Sequence, residues 1–317
     1  MPGLVSATTP AGLVAAAPSV TPNAVLPGTD FVIIDRPQRK AVILCFGDGG
    51  CGKTTFGLKY TPHPAFLIGF DGRSEYVEEE QKKLGFPVPA VQIPPPSVLQ
   101  KSDNVRQAAK DALGKFFRNF DGAIEASRSG KVRTITIDTA SELGEIITLA
   151  VRGTLENVKG DYGRSKDQIN QIWWKIFGAA RFTGNAHVVF LARASSVWEN
   201  NEPTGDFKAR VSDTVRDGVD FSVHIRLGTG APLLAGLSGV AGGPGLVSAG
   251  GLVPLIPGAG GLSAPKKEFE LVVKKSGNRN PLEQLGVVFR QSDWGEHGPF
   301  AYACAQLMPG TRPEDWK

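Results

Sequence analysis

Short apolar runs separated by polar, helix-periodic stretches organise the middle of this chain. Ala41 to Phe46 (A-V-I-L-C-F) is a continuous apolar run of strand length, followed by a glycine-rich turn and a helical pattern over about 53–59. Ala65 to Phe70 predicts a second strand, about 104–127 a helix, Val132 to Ile137 a strand, and 141–155 and 165–183 two more helices. His187 to Ala192, Phe221 to Leu227, Phe269 to Val273 and Gly286 to Phe289 predict later strands without long helices between them. Near-continuous apolar strands alternating with helices predict an α/β protein whose mostly parallel sheet is covered on both faces. The late strands predict an antiparallel extension.

Two segments break the pattern. Residues 1–28 are rich in Ala, Pro, Thr and Val, carry no charge before Asp30 and show no period, which predicts a flexible tail. Residues 228–265 contain runs such as G-L-S-G-V-A-G-G-P-G-L-V and no charge before Lys266. That composition reads as a flexible insertion within a domain spanning 29–300, either a passive linker or, through its scattered Leu and Val, a docking segment. Residues 301–317 are left as a C-terminal tail.

Composition adds limits. Hydrophobic residues at 41% and charged residues at 21% are ordinary for a globular protein, while 39 Gly and 23 Pro fit the unpatterned segments. A net charge of +4 is compatible with a nucleic-acid partner but does not point to one. Cys45, Cys51 and Cys304 are an odd count without C-x-x-C pairing, so neither a disulfide framework nor a zinc site is expected, and a reducing cytoplasmic compartment fits. His63, His187, His224 and His297 lack ligand spacing. No stretch approaches the ~20 apolar residues that span a bilayer, and the N-terminus lacks the positive region of a secretory signal. No membrane association is expected.

Gly47-Asp48-Gly49-Gly50-Cys51-Gly52-Lys53-Thr54 matches G-x-x-x-x-G-K-[ST], directly after a buried strand and opening a helix. Such a loop turns successive backbone N–H groups onto phosphate oxygens, and the helix N-terminus adds partial positive charge. The expected ligands are ATP and Mg²⁺, with Lys53 on the β- and γ-phosphates, the Thr54 hydroxyl on the metal and Thr55 supporting the turn. Cys51 reads as a small filler of the loop, its redox alternative lacking a second cysteine nearby in sequence.

The run Thr134-Ile135-Thr136-Ile137-Asp138 ends in an acid, as a strand carrying a second metal-site carboxylate does; the alternative is a helix-capping aspartate. Thr139 follows it where a glutamate base could stand, so the acid that orients or deprotonates water lies elsewhere. Asp71 ends the strand after the phosphate-loop helix, at the sheet edge where ligands of open α/β sheets collect, and Glu75 follows it. Glu142 and Glu145, on the helix after Asp138, are weaker options.

These features resemble the RecA-like ATPases, and within them the phage AAA-type nucleotide-binding proteins of the single-strand annealing and recombination group. The resemblance rests on F-G-D-G-G-C-G-K-T-T, F-L-I-G-F-D and T-I-T-I-D-T-A-S-E-L, and it runs from about Ala41 to Phe289 without the glycine-rich insertion. It implies a P-loop NTPase fold, ATP hydrolysis in DNA recombination or annealing, single-stranded DNA as a partner, and location in the host cytoplasm for a phage-encoded protein. It also implies a homo-oligomer with ATP at subunit interfaces, into which Lys275 or Arg279 of L-V-V-K-K-S-G-N-R-N-P would project from a neighbour. The alternative for those two is a solvated basic hairpin tip. The position matching the family's γ-phosphate sensor falls near Arg193, where relatives carry His, Gln or Thr.

The resemblance places DNA-contacting loops in the stretch 193–216, which holds Trp198, Lys208, Arg210 and Arg216. Trp173 and Trp174 lie beside Arg164, Lys175 and Arg181; Trp173 shares helical spacing with Ile169, Ile172, Ile176 and Phe177 and reads as core, while Trp174 reads as exposed. Two other readings stay open: an ATP-driven protein assembly or remodelling factor without nucleic-acid contact, and a small-molecule kinase whose acceptor pocket and lid the sequence does not reveal.

Overall fold

The strand ahead of the glycine loop, β1 (Val42–Gly47), is buried along its whole length. Its side chains alternate between two apolar layers: Val42, Leu44 and Phe46 face one, and Ile43 and Cys45 the other. The computed structural model describes residues 40–70, 90–156, 162–228, 268–275, 287–308 and 311–316.

From β1 the chain passes the loop into α1 (Lys53–Lys59), then β2 (Ala65–Gly69), β3 (Ala90–Gln92), the single turn α2 (Pro96–Leu99) and the long α3 (Val105–Arg128). β4 (Thr134–Asp138), α4 (Ala140–Arg152), α5 (Tyr162–Gly178) and β5 (His187–Glu199) come next. β6 (Glu202–Ala209), α6 (Asp213–Gly218), β7 (Phe221–Gly228), β8 (Glu268–Lys275), β9 (Val288–Arg290) and α7 (Gly298–Leu307) follow.

Among the described residues the strands join in the order β3-β2-β4-β5-β1-β7-β8-β9, with β6 paired to β5. All pairs from β3 to β7 are parallel; β7–β8, β8–β9 and β5–β6 are antiparallel. This is the P-loop NTPase α/β arrangement expected from the sequence, with its late antiparallel strands.

One face is covered by α3, α4 and α5. α3 buries Ala109, Ala112, Leu113, Phe116, Phe120, Ala123 and Ile124 at helical spacing, and the Asn104 side chain caps it by accepting from the Gln107 N–H at 3.1 Å. Trp173 of α5 is buried in this layer, as its spacing predicts, and Trp174 is 54% exposed. The opposite face is covered by α1 and, contrary to the reading of 301–317 as a tail, by the C-terminal residues: Phe300, Ala301, Cys304, Leu307 and Trp316 are buried against β1, β5 and β7. The segment G-P-F-A-Y-A-C-A-Q-L is apolar on nearly every side and so shows no amphipathic period to betray a helix.

Other elements differ from expectation. β5 does not end at Ala192 but continues to Glu199 and folds back as β6, so the stretch expected as a loop is an antiparallel hairpin followed by α6. α5 ends at Gly178, and residues 179–183 form a π turn. The short β3, α2 and α6 were not anticipated. The tail 1–28, and the insertion beyond Gly228, lie outside the described residues. No helix among the described residues is long and apolar enough to cross a membrane.

Candidate nucleotide site

β5 lies between β1 and β4 and sets the spacing of the site. Gly47 at the end of β1 pairs with Arg193 on one side of β5, and Asp138 at the end of β4 pairs with Leu191 on the other. The glycine loop and Asp138 therefore open onto the same carboxyl edge, two strand spacings apart, or about 10 Å.

The loop and this edge line a cleft of about 800 Å³ with Gly47 to Gly50, Gly52 to Thr55, Asp138, Thr139, Glu142, Arg193, Ala194 and Phe269. Gly50 and Gly52 have φ of 76° and 90°, a left-handed conformation that side chains resist. A Cβ on Gly52 would enter the Phe269 ring, and one on Gly47 would meet the Ile225 carbonyl and the Cys51 sulfur. The space beside Gly49 and Gly50 is open instead, with nothing within 4 Å of a Cβ there. Backbone amides at Gly49 and Gly50, free of side chains, fit phosphate oxygens.

Lys53 Nζ lies inside the curve of the loop, donating to the carbonyls of Gly47 at 2.9 Å and Asp48 at 2.6 Å. Cys51 is buried, with its sulfur 3.8 Å from Lys53 Nζ. Burial pushes its thiol pKa up while Lys53 pulls the other way, which suits a filler of the loop rather than a reactive thiolate.

On the far side of the cleft, the Thr54 hydroxyl donates to Asp138 Oδ2 at 2.7 Å. A hydroxyl and a carboxylate held together are the hard oxygen donors that suit Mg²⁺. When bound beside phosphates, that ion neutralises charge on the β and γ oxygens. The Thr139 side chain caps α4 by accepting from the Glu142 N–H at 3.3 Å, so the capping role weighed for Asp138 falls to its neighbour.

The same cap turns Glu142 into the cleft. Its side chain is only 6% exposed and its Oε1 pairs with the Arg193 guanidinium, while Oε2 is buried with no hydrogen-bond partner among the described residues. Burial pushes the Glu142 carboxyl above the ordinary carboxylate range, and Arg193 draws it back down. Sequence reading ranked Glu142 low. Its usable signal was the D-T-x-x-E spacing, which sets a glutamate one helical turn past the strand end. The partner Arg193, 51 positions away, has no local signature.

Asp71, Glu75 and Arg279 lie outside the described residues. Lys275 ends β8, opposite Ser222 near the start of β7, so its place in the sheet is toward the end away from the glycine loop. The structure thus gathers Lys53, Thr54, Thr55, Asp138 and the loop glycines. Phe269, which closes the loop side, was not singled out by the sequence because it stands 217 positions after Gly52.

Beside the nucleotide cleft, a second cavity of about 670 Å³ lies among α4, α5, β6 and α6, with Trp173 and Ile169 among its lining residues. Its cations are Arg152, Lys166, Lys208, Arg210 and Arg216, against the carboxylates Glu145 and Asp213. Arg210 pairs with Glu145 at 3.1 Å and Arg216 with Asp213.

The family model described as an AAA domain matches residues 39–228, more than half of the chain, from β1 through β7. No curated protein matches the sequence.

Proposed function

We propose that this chain, which belongs to the AAA-domain family, binds Mg-ATP in the cleft above β1 and β4 and hydrolyses it as a RecA-like ATPase in DNA recombination, single-strand annealing or a related DNA step, within a phage-derived system and the host cytoplasm. The observation that carries the nucleotide part is the pairing of Thr54 with Asp138 beside a loop that is open at Gly49 and Gly50. Lys53 serves the β- and γ-phosphates, Thr54 and Asp138 hold the metal, and Thr55 supports the turn. A carboxylate must also take or orient the attacking water, from Asp71, Glu75 or Glu142; of these, Glu142 lines the described cleft.

The DNA part is supported by the second cavity, where cations outnumber carboxylates five to two next to the hairpin that carries Trp198, itself 63% exposed. Cations with an exposed aromatic suit the phosphates and bases of a single strand. The backbone of Lys275 lies toward the sheet end away from its own chain's glycine loop, which supports assigning it, with Arg279, to a neighbouring subunit's nucleotide in a homo-oligomer.

A rival reading is an ATP-driven protein assembly or remodelling factor. Phe182, 85% exposed, and Trp174 on the end of α5 favour it, being apolar surface better suited to a protein than to a polyanion. Steady-state ATP turnover with and without single-stranded DNA, across a salt series, separates the two. Stimulation that fades steeply as salt rises supports the DNA reading. Turnover indifferent to DNA at every salt concentration moves the assignment to the rival.

A further inference from the structure

Glu142 combines three features. It is a carboxylate buried in the first turn of α4, it lines the nucleotide cleft, and one of its oxygens has no hydrogen-bond partner among the described residues. A bare buried oxygen costs stability that an apolar residue of similar size would not. Its ionic partner among the described residues, Arg193, is built differently: the guanidinium is 56% exposed and extends from the point where β5 leaves the sheet.

The backbone at Arg193 is pinned. Its N–H donates to Ser141 Oγ at 3.1 Å, and its carbonyl accepts from the Arg210 N–H at 2.7 Å. Arg210 is held in turn by Glu145, one turn along α4 from Glu142. The Arg193 side chain is therefore an exposed arm on a fixed pivot, standing over a buried carboxylate and beside the glycine loop. A guanidinium matches the charged oxygens of a terminal phosphate as well as it matches a carboxylate, so the two can compete for it.

We propose that Arg193 is an exchangeable cap on Glu142, leaving it for the γ-phosphate when ATP enters the cleft and so freeing Glu142 to act as the base for the attacking water. This rests on the nucleotide reading above. Glu142 takes one proton from water as the water oxygen forms its bond to the γ-phosphorus and the bond from that phosphorus to the β,γ-bridging oxygen breaks. ADP keeps the bridging oxygen with its electron pair, and the water oxygen leaves in inorganic phosphate. Once Arg193 has turned away, its pull on the Glu142 proton affinity weakens, while the burial that raises that affinity remains. The carboxylate gains proton affinity at the point where it must accept a proton.

The exchange makes a counterintuitive forecast, because in the resting protein Glu142 competes with phosphate for Arg193. Removing its charge in Glu142→Gln should tighten binding of the slowly hydrolysed analogue ATPγS by about fivefold, as one charge-assisted contact is released to the nucleotide. The same variant should slow single-turnover ATP hydrolysis by about 10²-fold or more, the usual loss on removing a general base. Arg193→Ala should shrink the preference for ATPγS over ADP and, combined with Glu142→Gln, abolish the tightening.

ADP affinity, measured by titration calorimetry in each protein, serves as the folding control and should stay near the wild-type value. Unchanged or weaker ATPγS binding by Glu142→Gln, with ADP binding intact, overturns the cap. Retention of wild-type turnover by Glu142→Gln overturns the base assignment. Failure of wild type to bind either nucleotide removes the nucleotide reading and this inference together, whereas nucleotide binding that needs Lys53 but shows no tightening removes the inference alone.

Discussion

The hydroxyl of Thr54 and the carboxylate of Asp138, 84 positions apart in sequence, meet at 2.7 Å across the end of β5. The contact exists because β1 and β4 flank the same strand, so that α1 begins over the end of β4. Both oxygens belong to hard donors for a divalent cation. Thr54→Val and Asp138→Ala should each weaken nucleotide affinity by about tenfold or more in the presence of Mg²⁺, near the loss of one charge-assisted contact, and have little effect in EDTA. Thr54→Ser, which keeps the oxygen, should behave as wild type. Titration of a fluorescent ATP analogue under both conditions checks this, and an equal loss with and without Mg²⁺ would assign the pair to loop shape instead.

Gly52 shapes the loop in two separable ways. Its φ of 90° resists a side chain, and a Cβ there runs into Phe269. Gly52→Ala should destabilise the fold measurably in urea, and adding Phe269→Ala should relieve the collision. A left-handed residue with a Cβ costs about 1–2 kcal/mol, so that part of the Gly52→Ala effect should persist against the Phe269→Ala background. Complete recovery in that background would mean that the collision alone makes glycine necessary.

His187 gives the fold a predictable acid sensitivity. Its Nδ1 accepts the Ala41 N–H at 3.2 Å, and its ring packs against Phe300 and Trp316. Burial, with a smaller push from Arg133, lowers its pKa to about 3. Because the folded pKa lies below the unfolded one, the unfolded chain binds the proton more readily. The stability from the neutral ring is complete above about pH 6.5 and declines as pH falls toward 3. Lowering pH from 6.5 to 5 should remove roughly 2 kcal/mol through this group. His63 and His224, also lowered by burial, act in the same direction, so the comparison is with His187→Gln. Urea unfolding at the two pH values should show a shallower loss in the variant, and parallel losses would contradict the assignment.

The sheet was legible where one residue pattern had one meaning. A-V-I-L-C-F before the glycine loop and T-I-T-I-D before Thr139 are strands buried on both faces, and each ends in the group that its spacing implied. Local sequence failed where a third element decides the outcome. Nothing within 193–209 says that β5 continues past its buried half, because the exposed part alternates polar and apolar residues only loosely and is held by pairing with β6. Residues 301–316 resembled a tail because a helix buried on most sides has no period. In the site, Lys53, Thr54 and Asp138 follow from motif and strand end, while Arg193 and Phe269 reach the cleft only through the strand order.

The role proposed for Lys53, held inside the loop by the carbonyls of Gly47 and Asp48, is to serve the phosphates of ATP. Its most direct test is inorganic phosphate release from Mg-ATP by wild type and by Lys53→Ala, at matched concentrations of folded protein. The expected result is turnover by wild type and a loss of about 10²-fold or more in the variant, the scale of removing a group that stabilises transition-state charge. Equal turnover by the two proteins, or none by wild type, would contradict it.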